Sequence, residues 1–376
     1  MMIANASCGI VQPFENQSEE HALCNGADHR SVVAHGRMRI ERLALRFWHT
    51  ATDDFRDHLK LLDCLRCSDL RQLTPKHFLQ AARMQWSWSH ISSLLVGTAI
   101  AFKDGYFHVV LLFWTWLGIE LIHAATCMTN DYWDYHTGAD DVSEHTIFNA
   151  GSRVIQEGKI SPHLLVATSY VCYALGASIG VGLAVARGWP IFAVGMLGGL
   201  LGYFYTTPPV KLCYRGLDQL ALAMCYGPLT IVGSYYVQAR RVTPEVLLIS
   251  LVYAITASMI LYIKGFQDTE ADKKAQKDSV VIKLGRRRAA SLFLWFYATA
   301  LLTLAVGIYF KIIPLWMLLA AGLAPLALSA HIALRKHLED GNVTTFMRLL
   351  LRTKSAHLYL GFLLIIGYMS MRIFGR

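Results

Sequence analysis

Asn130-Asp131-Tyr132-Trp133-Asp134-Tyr135-His136-Thr137-Gly138-Ala139-Asp140-Asp141 closes an apolar run that begins near Val109. A second acidic segment, Asp268-Thr269-Glu270-Ala271-Asp272, closes another apolar run further along the chain. Ionisable side chains beside a bilayer span are expensive and mark functional sites by default. Spacings of three and four residues put carboxylates on one helix face. Two such faces meeting at a bundle mouth have the donor chemistry for Mg²⁺, which takes a few carboxylates together with phosphate oxygens. The pattern implies a membrane-embedded site for a lipid diphosphate.

The rest of the chain fits that setting. Its 376 residues are 54% hydrophobic and 16% charged, with a mean hydropathy of +0.37. A soluble domain carries about 25% charged residues. Apolar stretches near 85–102, 108–129, 163–186, 190–206, 218–238, 245–264, 289–310, 313–334 and 355–373 predict nine transmembrane helices. The expected fold is an all-α polytopic membrane bundle with a polar N-terminal extension. With a cytoplasmic N-terminus, the loops at 130–162, 207–217, 264–288 and 335–354 share one side and carry seventeen Lys and Arg. The opposite loops and the C-terminal tail carry seven. The positive-inside rule then puts both acidic clusters on the cytoplasmic side, which in a bacterium means the inner face of the inner membrane. The net charge of +9 suits an anionic membrane surface and a diphosphate, and calls for no nucleic acid.

Residues 1–77 form the extension and 78–376 the transmembrane domain. The extension has no charged region leading into an apolar core, so it does not read as a signal peptide, and its acidic content is unlike a transit peptide. Within it, residues 38–63 show helical periodicity through Ile40, Leu43, Phe47, Phe55 and Leu59, which predicts an amphipathic surface helix. Cys64 and Cys67 form a lone CxxC, whereas structural zinc wants four ligands.

The first cluster, N-D-Y-W-D-x-x-x-G-x-D, is followed by Gly151-Ser152-Arg153-Val154-Ile155-Gln156-Glu157-Gly158. Together they resemble the UbiA superfamily of intramembrane prenyltransferases, most of all the MenA type, the 1,4-dihydroxy-2-naphthoate polyprenyltransferases of menaquinone synthesis. Tyr203-Phe204-Tyr205-Thr206-Thr207-Pro208-Pro209, Gly227-Pro228 and Leu351-Arg352-Thr353 add to the likeness, which covers about residues 78–373. The second cluster departs from the MenA pattern N-N-x-R-D-x-x-x-D. Lys264, Asp268, Glu270 and Asp272 look more like the K-D-x-x-D-x-E-G-D form of other branches, including homogentisate prenyltransferases. Arg83 matches the basic residue before the first span, but Met84 stands where the family usually has proline.

The resemblance implies a Mg²⁺-dependent transfer of a polyprenyl group from its diphosphate to an aromatic acceptor. Breaking the allylic C–O bond builds negative charge on the diphosphate. Mg²⁺ held by Asp131, Asp134, Asp268 and Asp272, with Asp140 direct or through water, would offset that charge. Asn130 offers a neutral oxygen. Arg83, Arg153 and Lys264 are candidates to hold diphosphate oxygens, arginine by a bidentate fork. The rings of Tyr132 and Tyr205 could face the allylic cation. The acceptor reads as dihydroxynaphthoate, with homogentisate, a hydroxybenzoate or a secondary-metabolite phenol as the alternative. A cation transporter is the reading from another class. It is disfavoured because transporter sites lie near the bilayer midplane on broken helices, and these acids lie at span ends.

Overall fold

The computed structural model describes residues 72–138, 151–274 and 276–374. Among these residues there is helix and no strand. In chain order the helices are α1 (Pro75–Ala81), α2 (Ser87–Lys103), α3 (Val109–Thr137), α4 (Pro162–Arg187), α5 (Trp189–Tyr203), α6 (Asp218–Ala239), α7 (Pro244–Gln267), α8 (Thr269–Lys274), α9 (Val280–Leu284), α10 (Arg286–Tyr309), α11 (Leu315–Asp340) and α12 (Val343–Phe374). Asp140, the 38–63 segment and the Cys64–Cys67 pair lie outside the described residues.

The helix starts follow local chemistry. Before α1, α4 and α7 the hydroxyls of Thr74, Ser161 and Thr243 accept hydrogen bonds from the amides of His77, Leu164 and Val246, and proline follows each cap. The hydroxyl satisfies an amide that has no helical partner, and proline has no amide to lose. Gly138 ends α3 and Gly341 ends α11, both at positive φ (68° and 59°), where a side chain would be strained.

Each of the nine predicted segments is helical. Seven helices are long and apolar enough to cross a bilayer, while α2 and α5, at 17 and 15 residues, fall short of a full span. Several helices run further than their apolar runs, and two of them show why. α3 continues to Thr137, because the acidic motif keeps helical geometry beyond Thr129. α12 begins at Val343 rather than near 355, because Phe346, Leu349 and Leu350 are buried and dock its polar first turns.

α7 is the centre of the bundle. Its apolar window is 72% buried, against 22–44% for the other six long helices, which turn Val185, Leu302, Phe362 and similar side chains outward. α3 packs along α4, α11 along α12, and α2 against both α12 and α6. In lipid there is little hydrophobic drive between helices, so close approach at small residues does the work. Gly97 of α2 abuts the Ile231 carbonyl and Ser234 hydroxyl of α6, and Gly227 of α6 abuts Ser250 and Ala254 of α7. α6 itself is irregular: Cys225–Val232, containing Pro228, is π-helical between two α-helical turns.

The Gly97 contact predicts an asymmetry. Gly97→Ala should lower stability by about 1–3 kcal/mol in detergent unfolding, because a Cβ meets backbone. Gly180→Ala, where nothing lies within 4 Å, should be neutral or slightly stabilising. Equal effects at the two positions would show that the α2–α6 approach is not a packing constraint.

Candidate active site

The last two turns of α3 carry the first cluster. Asp131 and Asp134 are 3% and 8% exposed. Asp131 accepts from the Arg83 guanidinium, from the Ser152 hydroxyl, and from the Ser152 amide at 3.2 Å to both oxygens. Asp134 accepts from Asn130 at 2.5 Å, from the Tyr214 hydroxyl at 3.2 Å and from the Lys277 ammonium at 3.4 Å. Carboxylates this well covered need such partners, since a buried charge without one is costly.

The second cluster sits where α7 ends. Asp268 caps that helix, and the Asp272 amide reaches back to the Asp268 carbonyl at 2.7 Å, so the helical turn continues into α8. Burial raises the Asp268 carboxyl above its usual range, with Lys264 and Lys277 pulling it back. Burial pushes the Asp272 carboxyl up to about 7; Lys277 opposes this, while Asp268, Asp218 and Asp134 add to it. The two clusters are therefore electrostatic neighbours, and Lys277 stands between them. Burial draws the Lys277 ammonium down, but Asp134, Cys213, Tyr214 and Asp272 outweigh it and the net shift is upward.

Four further cations gather beside the acids. Arg83 precedes a 3₁₀ turn (Met84–Trp86) in the left-handed conformation, φ 51°. The ammonium groups of Lys264 and Lys354 each lie 4.9 Å from the centre of the Trp86 ring. Lys264 also shares its surroundings with Asp268 and Arg83. Arg153 follows Ser152, the residue that pins Asp131, and is again left-handed, φ 60°. Strained non-glycine backbone of this kind concentrates at functional sites.

Tyr205 belongs to the same region. Burial raises its phenol well above the usual range, and its charged neighbours include Asp218, Asp134 and Arg83. Tyr132 lies between Asp131 and Trp133 on α3 and is buried. Its ring packs on Trp133 and His136, at 5.4 and 4.2 Å between centroids.

The UbiA prenyltransferase family matches residues 91–355. The chain belongs to that family. Among curated relatives, it is 25% identical over 231 residues to the 1,4-dihydroxy-2-naphthoate octaprenyltransferase of Bacillus subtilis, covering 61% of this chain and 70% of that one. It is also 25% identical over 237 residues to the 2-carboxy-1,4-naphthoquinone phytyltransferase of a Synechocystis species, 62% and 75% of the two chains. In fold it is similar to a UbiA homologue from Archaeoglobus fulgidus bound to DMAPP and Mg²⁺, with TM-score 0.56 and 16% identity, over 78% of this chain and 99% of that one. A digeranylgeranylglyceryl phosphate synthase gives TM-score 0.57 at 16% identity, over 78% and 98%. This UbiA-family chain is thus a multi-pass membrane prenyltransferase.

The family's structures raise the question of a divalent cation. Among the described residues, no three His, Cys, Asp or Glu side chains stand close enough together to hold a metal ion as they lie. The donors nonetheless fit one. They are all oxygen, as a hard cation prefers, and burial raises the carboxyls of Asp268 and Asp272. Lys277 supplies one positive charge at the place where the two clusters meet.

Sequence reading missed Lys277, Tyr214 and Ser152. Lys277 looked like one of several loop lysines, and only the folded loop separates it from Lys273 and Lys274, which are exposed. Lys277→Met should lower prenyl transfer by about tenfold or more, the worth of a buried charged hydrogen bond. Lys273→Met and Lys274→Met should leave turnover within about twofold, since exposed charges contribute little. Equal losses from all three would reduce Lys277 to a surface anchor.

Proposed function

We propose that the enzyme transfers a polyprenyl group from its diphosphate to 1,4-dihydroxy-2-naphthoate in a Mg²⁺-dependent reaction at the cytoplasmic mouth of a nine-helix bundle. The observation that carries this reading is the neighbourhood of Asp134, Asp268 and Asp272 around Lys277, beside Arg83 and Lys264. Such a mixed acidic and basic cluster suits a metal diphosphate, which brings both positive and negative charge. The relatives named for dihydroxynaphthoate or carboxynaphthoquinone chemistry support the acceptor.

In this reading Asp131, Asp134, Asp268 and Asp272 hold the cation, with Asp140 as a further ligand and Asn130 as a neutral oxygen. Bound there, Mg²⁺ supplies Lewis-acid stabilisation of the leaving diphosphate. Arg83, Arg153, Lys264 and Lys277 bind diphosphate oxygens. Arg83 and Ser152 fix the Asp131 carboxylate in one orientation, which spares reorganisation as charge develops. The apolar interior of the bundle takes the isoprenoid tail and keeps water from the allylic cation. Tyr205, neutral and next to Asp134, can face that cation, and Tyr132 supports the helix end. The acceptor must be an electron-rich ring, because the prenyl cation attacks carbon. Residues 1–77 supply none of these groups, so a chain starting at Gln72 should remain active.

The Lys264–Asp272 segment favours a second acceptor, homogentisate or a hydroxybenzoate. Purified enzyme, a labelled polyprenyl diphosphate and each acid, with and without Mg²⁺, separate the two. Prenylation of dihydroxynaphthoate with CO₂ release, lost on chelation and in Asp131→Ala and Asp268→Ala, is expected. Turnover of homogentisate or hydroxybenzoate alone would transfer the assignment to the second acceptor. Near-normal turnover in both alanine variants would remove the two-cluster mechanism. Sidedness has its own test. Cysteines introduced at Asp104 and Asp340 should label from opposite sides of the membrane, and labelling from one side would overturn the topology.

A further inference from the structure

A second polar cluster lies deeper in the bundle, and none of the diphosphate chemistry uses it. Glu120 of α3 and His90 of α2 are 9% and 2% exposed. His90 Nε2 lies 2.8 Å from one Glu120 oxygen, and the Ser87 hydroxyl donates to the other at 2.7 Å. The His123 ring stands 4.5 Å from the His90 ring. With Glu120 accepting at Nε2–H, the second ring nitrogen of His90 is a lone-pair acceptor. That Nδ1 is buried and has no hydrogen-bond partner.

A buried nitrogen without a partner is unusual and calls for an explanation. Polar groups this deep in a membrane bundle are expensive and point to function. The facing element is the π-helical stretch of α6, an irregularity frequent at functional sites. It holds the Tyr226 ring 6.2 Å from His90 and nearly parallel to it, at 3°. A parallel Tyr226 ring and a tilted His123 ring beside a lone imidazole acceptor make a setting for a flat hydroxylated ring.

The distance to the diphosphate residues is also right. His123 lies eight residues before Asp131 on the same helix, a rise of about 12 Å, and Glu120 about 16 Å. Cys127 bridges that interval. Its sulfur is 3.7 Å from His123 Nε2, and its electrostatic neighbours include Arg83, Asp131, Lys264 and Glu120. A diphosphate at the mouth, its first allylic carbon, and an aromatic ring below it fill this gap in order.

We propose that His90, oriented by Glu120, is the hydrogen-bond seat for a ring hydroxyl of the aromatic acceptor. This rests on the prenyl-transfer reading above and names the residues that select the acceptor. The hydroxyl donates to His90 Nδ1, Nε2–H donates to Glu120, and Ser87 holds the far carboxylate oxygen. An acceptor lacking a free hydroxyl leaves the nitrogen unpaired and binds less well. Glu120 is a positioning residue, because it acts through His90.

The test is direct binding to the full-length protein in detergent, measured by calorimetry. The probes are 1,4-dihydroxy-2-naphthoate, its dimethoxy analogue and a non-reacting prenyl thiolodiphosphate. Wild type should bind the diol about tenfold more tightly than the dimethoxy analogue. In His90→Phe and Glu120→Gln this preference should shrink to about twofold or less, while thiolodiphosphate affinity stays within about twofold of wild type. His90→Gln, which keeps a side-chain acceptor, should restore part of the preference. Undiminished discrimination in His90→Phe would overturn the seat. So would equal losses for diol and thiolodiphosphate, which would mark His90 as structural. The wild-type comparison of diol and ether needs no variant, so a misfolded mutant does not spare the proposal. If wild type binds thiolodiphosphate but takes homogentisate instead of the naphthoate, the acceptor reading fails. The same cycle with homogentisate and its methyl ethers then decides the seat. Failure to bind thiolodiphosphate at all would sink the prenyl-transfer reading separately.

Discussion

Carboxylates at the edge of a bilayer need positive partners, and the bundle mouth is arranged around that need. Asp131 is met by Arg83 and Ser152, and Asp134 by Lys277, Tyr214 and Asn130. Removing one member of a buried pair typically costs about 3–5 kcal/mol, because the other is left uncompensated. Burial raises the carboxyls of Asp268 and Asp272; the positive charges of Lys264 and Lys277 oppose it at Asp268, and that of Lys277 at Asp272. The site thus holds buried carboxyls on one side, where α7 ends. This burial links the fold to its chemistry: α7 has the most enclosed apolar window of the long helices, and its acidic end is the one that a metal diphosphate would meet.

The same helix, α3, organises two levels of the bundle. Its end holds the acids. Its middle turns hold Glu120 and His123, facing His90 on α2 and Tyr226 on α6. α2 and α6 can approach closely because Gly97 and Ser234 meet there. Widening of α6 into a π-helix at Cys225–Val232 turns Tyr226 toward His90. A polar column therefore descends from the membrane edge into the interior, between helices otherwise joined by small and apolar residues.

Much of this was legible in the sequence. The acid spacings and the apolar runs are local signals, and they place α3 and α7 with the acidic clusters at their ends. Two helix ends were not legible by hydropathy, since Asp131 and Asp134 continue α3 in helical geometry while ending its apolar run. Lys277 was invisible for another reason. Three loop lysines look alike until the chain folds 277 onto Asp134 and leaves 273 and 274 in solvent. The His90–Glu120 pair spans thirty residues and two helices, so no short motif announces it. Met84, where the family usually has proline, still begins a turn, because Arg83 takes the left-handed conformation that redirects the chain.

The central claim is that the two acidic clusters form one diphosphate site. A double-mutant cycle on Mg²⁺-dependent binding of a non-reacting prenyl thiolodiphosphate tests it most directly, using Asp134→Asn, Asp272→Asn and the pair together. Residues that share a ligand couple, with interaction energies of about 0.5–3 kcal/mol, whereas independent sites add. The account predicts that the double variant binds little worse than the weaker single one. Full additivity of the two losses, or binding that is insensitive to either change, would contradict it.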